Sequence, residues 1–275
     1  MLSDLASLGD GYIPAARVPS DVPIEELMLS LIPAAKRFAI PPISNFFVGA
    51  VARGLSGNLY FGANFEFPGE ALSFSVHGEQ AATVNAIAHG ETGIDLLAVS
   101  APPCGYCRQF LYELTTASTL TIILPNTPST LLPALLPGAF GPADLGVTAG
   151  LMSPQAHGMQ LPSPPDDTTQ AALDAANSSY APYSRGYAGV ALKTSDGNIH
   201  RGSLAENAAF NPSMSPLEGA VVMLAMSGRK YSDIIDAVLV EAKGSAASQA
   251  GVTRAVLATM TSVPLRVFET SPAAK

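Results

Sequence analysis

Residues 34–66 read AAKRFAIPPISNFFVGAVARGLSGNLYFGANFE, and residues 174–206 read DAANSSYAPYSRGYAGVALKTSDGNIHRGSLAE. Laid over one another at an offset of 140, without a gap, they coincide at Ala35/Ala175, Pro42/Pro182, Ser44/Ser184, Gly49/Gly189, Gly57/Gly197, Asn58/Asn198, Gly62/Gly202 and Glu66/Glu206. That is eight identities over the 32 positions from 35 to 66, where chance at average composition gives roughly two. Several are Gly or Pro, the residues that fix backbone geometry. The chain therefore reads as two copies of one fold.

Each copy shows the same order of elements. A helix comes first: VPIEELMLSLIPAAKRFA (22–39), entered at Ser20/Asp21 with Glu25 and Glu26 in its first turn, and DTTQAALDAANSSY (167–180). Two strands joined by a tight Gly-Asn turn follow, over 46–63 and 187–202. Then come a helix (77–89; 215–227), an apolar strand (94–101; 235–242), and a last helix and strand (107–124; 249–269). A hairpin followed by alternating helix and strand predicts an α/β fold: three layers, α/β/α, on a mixed five-stranded sheet, present twice. The expected division is an N-terminal segment (1–20), a first domain (21–124), a Pro- and Gly-rich linker region (125–166) and a second domain (167–275).

The chain has 275 residues, 48% of them hydrophobic and 13% charged, enough to bury a sizeable core. A formal net charge of −8 disfavours a nucleic-acid surface, which needs a basic stripe. No apolar run reaches the ~18–20 residues of a membrane span. The start, MLSDLASLGDG, has no basic region of the secretory type. A cytoplasmic protein acting on a small molecule is expected, with its cysteines reduced.

The only cysteines, Cys104 and Cys107, stand in APPCGYCRQF (101–110). Alone, a C-x-x-C pair is a redox pair, half a zinc site or chance. A thioredoxin-like pair follows the first strand of its domain, whereas this one comes later. No second ligand pair at finger spacing exists, so a zinc ion here would have three protein ligands and an open, catalytic position. His77 is the candidate third ligand, because Glu79 follows it in VHGEQAATV. A carboxylate beside a zinc site is what moves protons to and from water. His-x-Glu followed by Pro-Cys-x-x-Cys is the signature of zinc nucleobase deaminases. His89 reads as a helix C-cap, and His157 and His200 as surface or loop residues. Arg108 reads as a screen for the thiolates or as an exposed helix residue.

With these motifs in order, from PISNFFVGAVARG through GNLYFGANFEF, VHGEQAA and PPCGYCRQFLYEL to FGPADL and AENAAFNPSMSPLEGA, the chain resembles the cytidine deaminases. The resemblance runs over roughly 25–240, and the His ligand makes it similar to the two-domain homodimeric type of bacteria and plants. It implies zinc-dependent hydrolytic deamination of cytidine and 2′-deoxycytidine, a step of pyrimidine salvage, with one zinc per chain on His77, Cys104 and Cys107. Glu79 would be the proton shuttle. Asn64 and Glu66 would hold the ribose 3′-hydroxyl, Phe46 would pack on the pyrimidine, and Phe140 would reach in from the neighbouring subunit of a homodimer. Gly78, where the family has Ala, would meet the base through its N–H, and Pro102 the substrate amino group through its carbonyl. Ala101 is smaller than the usual neighbour. Alternatives are a related deaminase acting on another base or a nucleotide, and a non-catalytic scaffold. With a one-residue gap, Glu218 of the second copy falls on Glu79 and Pro216 on His77. Leu204 replaces Asn64, and no cysteine follows residue 107, so the second copy is expected to hold no zinc.

Overall fold

In the computed structural model, which describes residues 11–273, the two copies are built on two mixed sheets. Residues 1–10 of the expected N-terminal segment lie outside the described residues. The first copy contains strands β1 (Tyr12–Ile13), β2 (Gly49–Gly54), β3 (Leu59–Ala63), β4 (Ile94–Val99), β5 (Thr121–Leu124) and β6 (Thr127–Leu131). Its helices are α1 (Ile24–Lys36), α2 (Gly78–Ala88), α3 (Gly105–Leu111) and the short α4 (Leu132–Leu135). The second copy contains α5 (Asp167–Asn177), β7 (Ala188–Thr194), β8 (Ile199–Ser203), α6 (Pro216–Met226), β9 (Ile234–Ala242), α7 (Ala250–Ala258) and β10 (Leu265–Thr270).

The first sheet runs β1-β3-β2-β4-β5-β6 and the second β10-β9-β7-β8. The quartets β3-β2-β4-β5 and β8-β7-β9-β10 correspond strand for strand. In each, only the last pair is parallel. The expected five strands per sheet are therefore corrected to six and four. Tyr12–Ile13 adds an edge beside β3, and Thr127–Leu131 turns back onto β5 from within the stretch read as linker. The second copy has neither addition among the described residues.

The repeated glycines explain how the layers close. Gly62 pairs with Ala50 across the β2–β3 ladder, so its Cα faces opposite to that of Gly49. A methyl on Gly62 would lie 2.2 Å from backbone atoms of Gly78 and Ala82 in α2, and one on Gly49 would lie 2.7 Å from the Ile32 carbonyl of α1. The two helices thus press on opposite faces of the sheet, at a distance only glycine allows. Gly202 and Gly189 stand in the same way against α6 and α5. Helix α1 starts at Ile24, with Pro23 at its cap, later than the expected entry at Ser20/Asp21, because a proline pushes the residue before it, here Val22, out of the helical region. Helices α2 and α6 pack on each other and join the two copies. No helix among the described residues is long and apolar enough to cross a membrane.

Candidate metal centre and substrate cavity

His77 caps the start of α2, and Cys104 caps the start of α3, with Cys107 in its first turn. The ladders β3–β2 and β2–β4 set the ends of β3 and β4, which lead to these two helices, in one sheet. His77 Nδ1 lies 3.5 Å from Cys104 Sγ and 3.2 Å from Cys107 Sγ. One imidazole nitrogen and two thiol sulfurs, all within 4.8 Å of one another, make a compact three-donor cluster. Neither cysteine is in a disulfide. The Cys107 thiol donates to Cys104, which pulls the Cys104 pKa down to about 4 and pushes Cys107 up. The donor set, one imidazole nitrogen and two sulfurs, is soft and matches the N/S preference and three-ligand number of a catalytic zinc site.

Glu79 is buried at 4% exposure, one residue into α2 beyond Gly78. Burial pushes its carboxyl pKa up. It lines a cavity of about 460 Å³ together with His77, Gly78, Cys104, Pro102, Phe46, Asn64 and Glu66. Eight of the ten singled-out residues thus meet at one cavity. Cys107 lies buried in the metal cluster. Phe140 stands apart: it is 44% exposed, does not line the cavity of its own chain, and its carbonyl accepts from Gln109 Nε2. Gly78 also has a local reason. A methyl there would lie 2.9 Å from Val48 Cγ1, another residue of the cavity wall.

Asn64 and Glu66 leave β3 and fix the turn over 41–48. Asn64 Oδ1 accepts the Val48 N–H at 2.9 Å, and Asn64 Nδ2 donates to the Phe46 carbonyl at 2.8 Å. Glu66 Oε2 accepts the N–H groups of Ile43 and Ser44, and Oε1 accepts the Ser44 hydroxyl at 2.5 Å. Burial pulls the Glu66 pKa up, but these donors outweigh it and hold the carboxyl below its ordinary value. Ser44 Oγ in turn accepts the Phe46 N–H at 3.0 Å. Sequence reasoning did not single out Ser44, although its pairing with Ser184 in the repeat, beside Glu66/Glu206, was a usable signal.

The second copy builds the same turn without the chemistry. Glu206 accepts the N–H groups of Tyr183 and Ser184 and the Ser184 hydroxyl, and Ser184 Oγ accepts the Gly186 N–H. Beyond it the register changes. The bridges Phe65–Val76 and Ala205–Met214 correspond, as do the contacts of Gly62 with Ala82 and of Gly202 with Ala220. The loop before α6 is thus two residues shorter than the loop before α2, not one as the expected alignment had it. Ser215 stands at the place of His77, Leu217 at that of Glu79, and Glu218 at that of Gln80. Both the metal donor and the buried acid are gone.

Of three further readings, two change and one holds. Arg108 neither screens the thiolates nor stands free: Nε donates to the Pro103 carbonyl and Nη1 to the Leu135 carbonyl, each at 2.8 Å. His89 does sit at the C-cap of α2, with Nδ1 2.8 Å from the Asn85 carbonyl. His200 is buried on β8, not on the surface, and burial lowers its pKa.

Residues 22–123 and 132–254 each match a family model described as the cytidine and deoxycytidylate deaminase zinc-binding region. A cytidine deaminase of Aeromonas hydrophila is 52% identical over 239 residues, covering 87% of this chain and 81% of the relative. Those of Yersinia pestis and Photobacterium profundum are 48% and 47% identical, over 85% and 84% of this chain and 79% and 78% of theirs. Among solved structures, a cytidine deaminase from Mycobacterium tuberculosis is 31% identical over 44% of this chain and 99% of its own, with a TM-score of 0.40.

Proposed function

The chain belongs to the cytidine and deoxycytidylate deaminase zinc-binding family, and from that premise we propose that it hydrolyses cytidine and 2′-deoxycytidine to uridine and 2′-deoxyuridine, releasing ammonia. One observation carries this reading: a single cavity is lined both by the His77–Cys104 donors with buried Glu79 and by Phe46, Asn64 and Glu66.

His77, Cys104 and Cys107 hold one zinc ion, which supplies the Lewis acidity that makes water nucleophilic near neutral pH. Glu79 moves the protons. Its burial raises the carboxyl pKa, so it holds a proton more firmly than an exposed glutamate does. It takes one from the attacking water and passes it to N3 of the pyrimidine, then takes the second from the hydroxyl added at C4 and passes it to the amino group as the C4–N bond breaks and the C4 carbonyl forms. One water is consumed and one ammonia leaves. The Pro102 carbonyl accepts from the substrate amino group, a role proline retains because it lacks only the N–H. The Gly78 N–H faces the base, and the Phe46 ring, 60% exposed, packs on it.

The sugar site follows from valence. Asn64 Nδ2 has one N–H left after Phe46, and Glu66 has acceptor capacity left on Oε1. A donor beside a free acceptor suits a hydroxyl, which gives and takes one hydrogen bond. A phosphate has no proton to give a carboxylate at neutral pH, and no Lys or Arg lines the cavity among the described residues. Nucleoside is therefore preferred to deoxycytidylate.

The proposal divides the chain into a zinc-holding domain (21–124) and a zinc-free one (167–275), and extends to a homodimer. Ile43, Phe46 and Leu72 line the cavity yet are 46%, 60% and 70% exposed, an apolar rim that a second subunit would cover with its Phe140. A cytoplasmic location fits two thiols that must stay reduced to bind metal. The test is the loss of ultraviolet absorbance on adding cytidine, with zinc content measured in parallel. One zinc per chain and turnover of cytidine are expected. A zinc-loaded chain that converts only deoxycytidylate would move the assignment to the nucleotide, and one that converts neither would reject it.

A further inference from the structure

Helix α3 spans only Gly105–Leu111. Seven residues do not hold a helix in water by themselves, so the place of Cys104 and Cys107 is set by what α3 packs against. Cys107, Phe110 and Leu111 are buried in the first copy. Tyr106 and Gln109 share another face of α3, Glu113 follows in the turn that ends it, and all three meet the second copy. The Tyr106 hydroxyl donates to the Asn211 carbonyl at 2.5 Å. Asn207 Nδ2 donates to the Gln109 carbonyl at 2.9 Å.

Glu113 is wholly buried. Its Oε1 accepts the hydroxyls of Tyr180 at 2.7 Å and Tyr183 at 2.5 Å, and its Oε2 accepts the Ala208 N–H at 2.9 Å. Burial, followed by the Glu113 carboxylate itself, pushes both phenol pKa values up, so both remain donors. All these partners lie in 180–211, the counterpart of the segment that in the first copy walls the cavity. Tyr183 takes the place of Ile43, and Ala208 follows Glu206 as Pro68 follows Glu66. Freed from substrate, this segment has become a socket for the end of α3. The other ligand-bearing helix, α2, also packs on the second copy, against α6.

We propose that the zinc-free copy is a positioning device for the metal centre: Glu113, seated between Tyr180, Tyr183 and the Ala208 N–H, fixes α3 so that the sulfurs of Cys104 and Cys107 stay within ligating reach of His77. This rests on the zinc reading given above. Glu113 is a positioning residue and touches neither metal nor substrate. A fully satisfied buried network tolerates little displacement, because a lost partner leaves a charge desolvated and unpaired.

The experiment compares four full-length proteins: wild type, Glu113→Gln, Tyr183→Phe and Arg266→Ala. Arg266 pairs with Asp166 and Asp236 within the second copy, so its removal weakens that copy without touching the socket. Each zinc-loaded protein is mixed with a colorimetric chelator and the transfer followed; each is also loaded with cobalt(II) and its thiolate and ligand-field absorption recorded. Glu113→Gln should release zinc about 10–100-fold faster, the range for residues that orient metal ligands, with shifted cobalt bands. Tyr183→Phe should fall between it and wild type, and it carries the test if Glu113→Gln does not fold. Arg266→Ala should melt earlier but release zinc at the wild-type rate. Wild-type release and cobalt spectra in both socket variants would overturn the proposal. So would equal acceleration in Arg266→Ala, which would trace the effect to general loosening. A wild-type chain that takes up no zinc would instead remove the zinc reading, and the proposal with it.

Discussion

Helix α2 opens His77–Gly78–Glu79–Gln80, and helix α6 opens Ser215–Pro216–Leu217–Glu218. The same capping bond closes both. Gln80 Oε1 accepts the His77 N–H at 3.1 Å, and Glu218 Oε2 accepts the Ser215 N–H at 2.6 Å. The second copy adds what helix starts favour on stability grounds: a Ser cap whose Oγ accepts the Glu218 N–H, and Pro at the first helical position. The first copy has His at the cap and Gly next, neither of which a helix start prefers, and then an acid that suits the helix dipole but is costly to bury. Where the proposed ligand and acid stand, the better capping residues are absent. Where they do not, the better caps stand, so the cost of the site is visible as the difference between two helix starts in one chain.

The largest effect that would break this comparison is at Glu79. Glu79→Gln keeps the size and the helix start but removes the proton carrier. Turnover of cytidine should fall by about 10²–10⁴-fold with zinc still bound, measured by absorbance and metal analysis on the same sample. Undiminished turnover would leave Glu79 no more than the counterpart of Leu217, a buried residue in a helix.

Glu218→Gln is the next test, and it turns the second helix start into the first. Burial pushes the Glu218 carboxyl up to about 7, above the ~4.3 of an unfolded chain. Between those values the folded protein holds a proton that the unfolded one has released, so stability falls as pH rises from about 4 to 7. Glutamine keeps the acceptor for the Ser215 N–H, as Gln80 does for His77, and does not ionise. The variant should gain at most about 4 kcal/mol of unfolding free energy at pH 8 and nothing at pH 4, read from urea unfolding at both. An equal gain at both values would show that the carboxyl charge is not what separates the two caps.

Much of this was legible in the sequence because the repeated residues are those with backbone consequences. Gly49, Gly62 and their partners mark close helix–sheet contacts, and such positions resist substitution even after a copy has lost its chemistry. The grouping of His77, Cys104 and Cys107, with Glu79 at the same cavity, was legible because a three-ligand metal site with an adjacent acid calls for those residue types at that spacing. The register of α6 was not. Matching Glu218 to Glu79 joins like letters across a loop whose length has changed, and the backbone bridges Phe65–Val76 and Ala205–Met214, with the contacts of Gly62 and Gly202, show that the like residue is Gln80. The edge strand Thr127–Leu131 was hidden because its five residues, TPSTL, carry no period-2 apolar pattern and are mostly exposed. The Glu113 socket joins residues 67–95 positions apart, and no local pattern announces such a contact.

The smallest expected effect sharpens the comparison most, because both copies make the same bonds. Ser44 Oγ gives its proton to Glu66 and accepts the Phe46 N–H; Ser184 Oγ does the same for Glu206 and Gly186. Either serine changed to alanine removes a hydrogen bond to a carboxylate, and each variant should lose about 1.5–3 kcal/mol of stability. Their effects on the reaction should differ. In Ser44→Ala, Glu66 loses the hydroxyl that sets the direction of Oε1, the oxygen with capacity left for the sugar, so KM for cytidine should rise several-fold, by roughly the ~1 kcal/mol of one hydrogen bond, with kcat nearly kept. The rise should vanish for 2′,3′-dideoxycytidine, which has no 3′-hydroxyl to present. Ser184→Ala should leave KM where it was for both substrates. A KM increase of the same size for cytidine and its dideoxy analogue would make Ser44 a brace for the turn alone, as Ser184 is, and would separate Glu66 from the sugar.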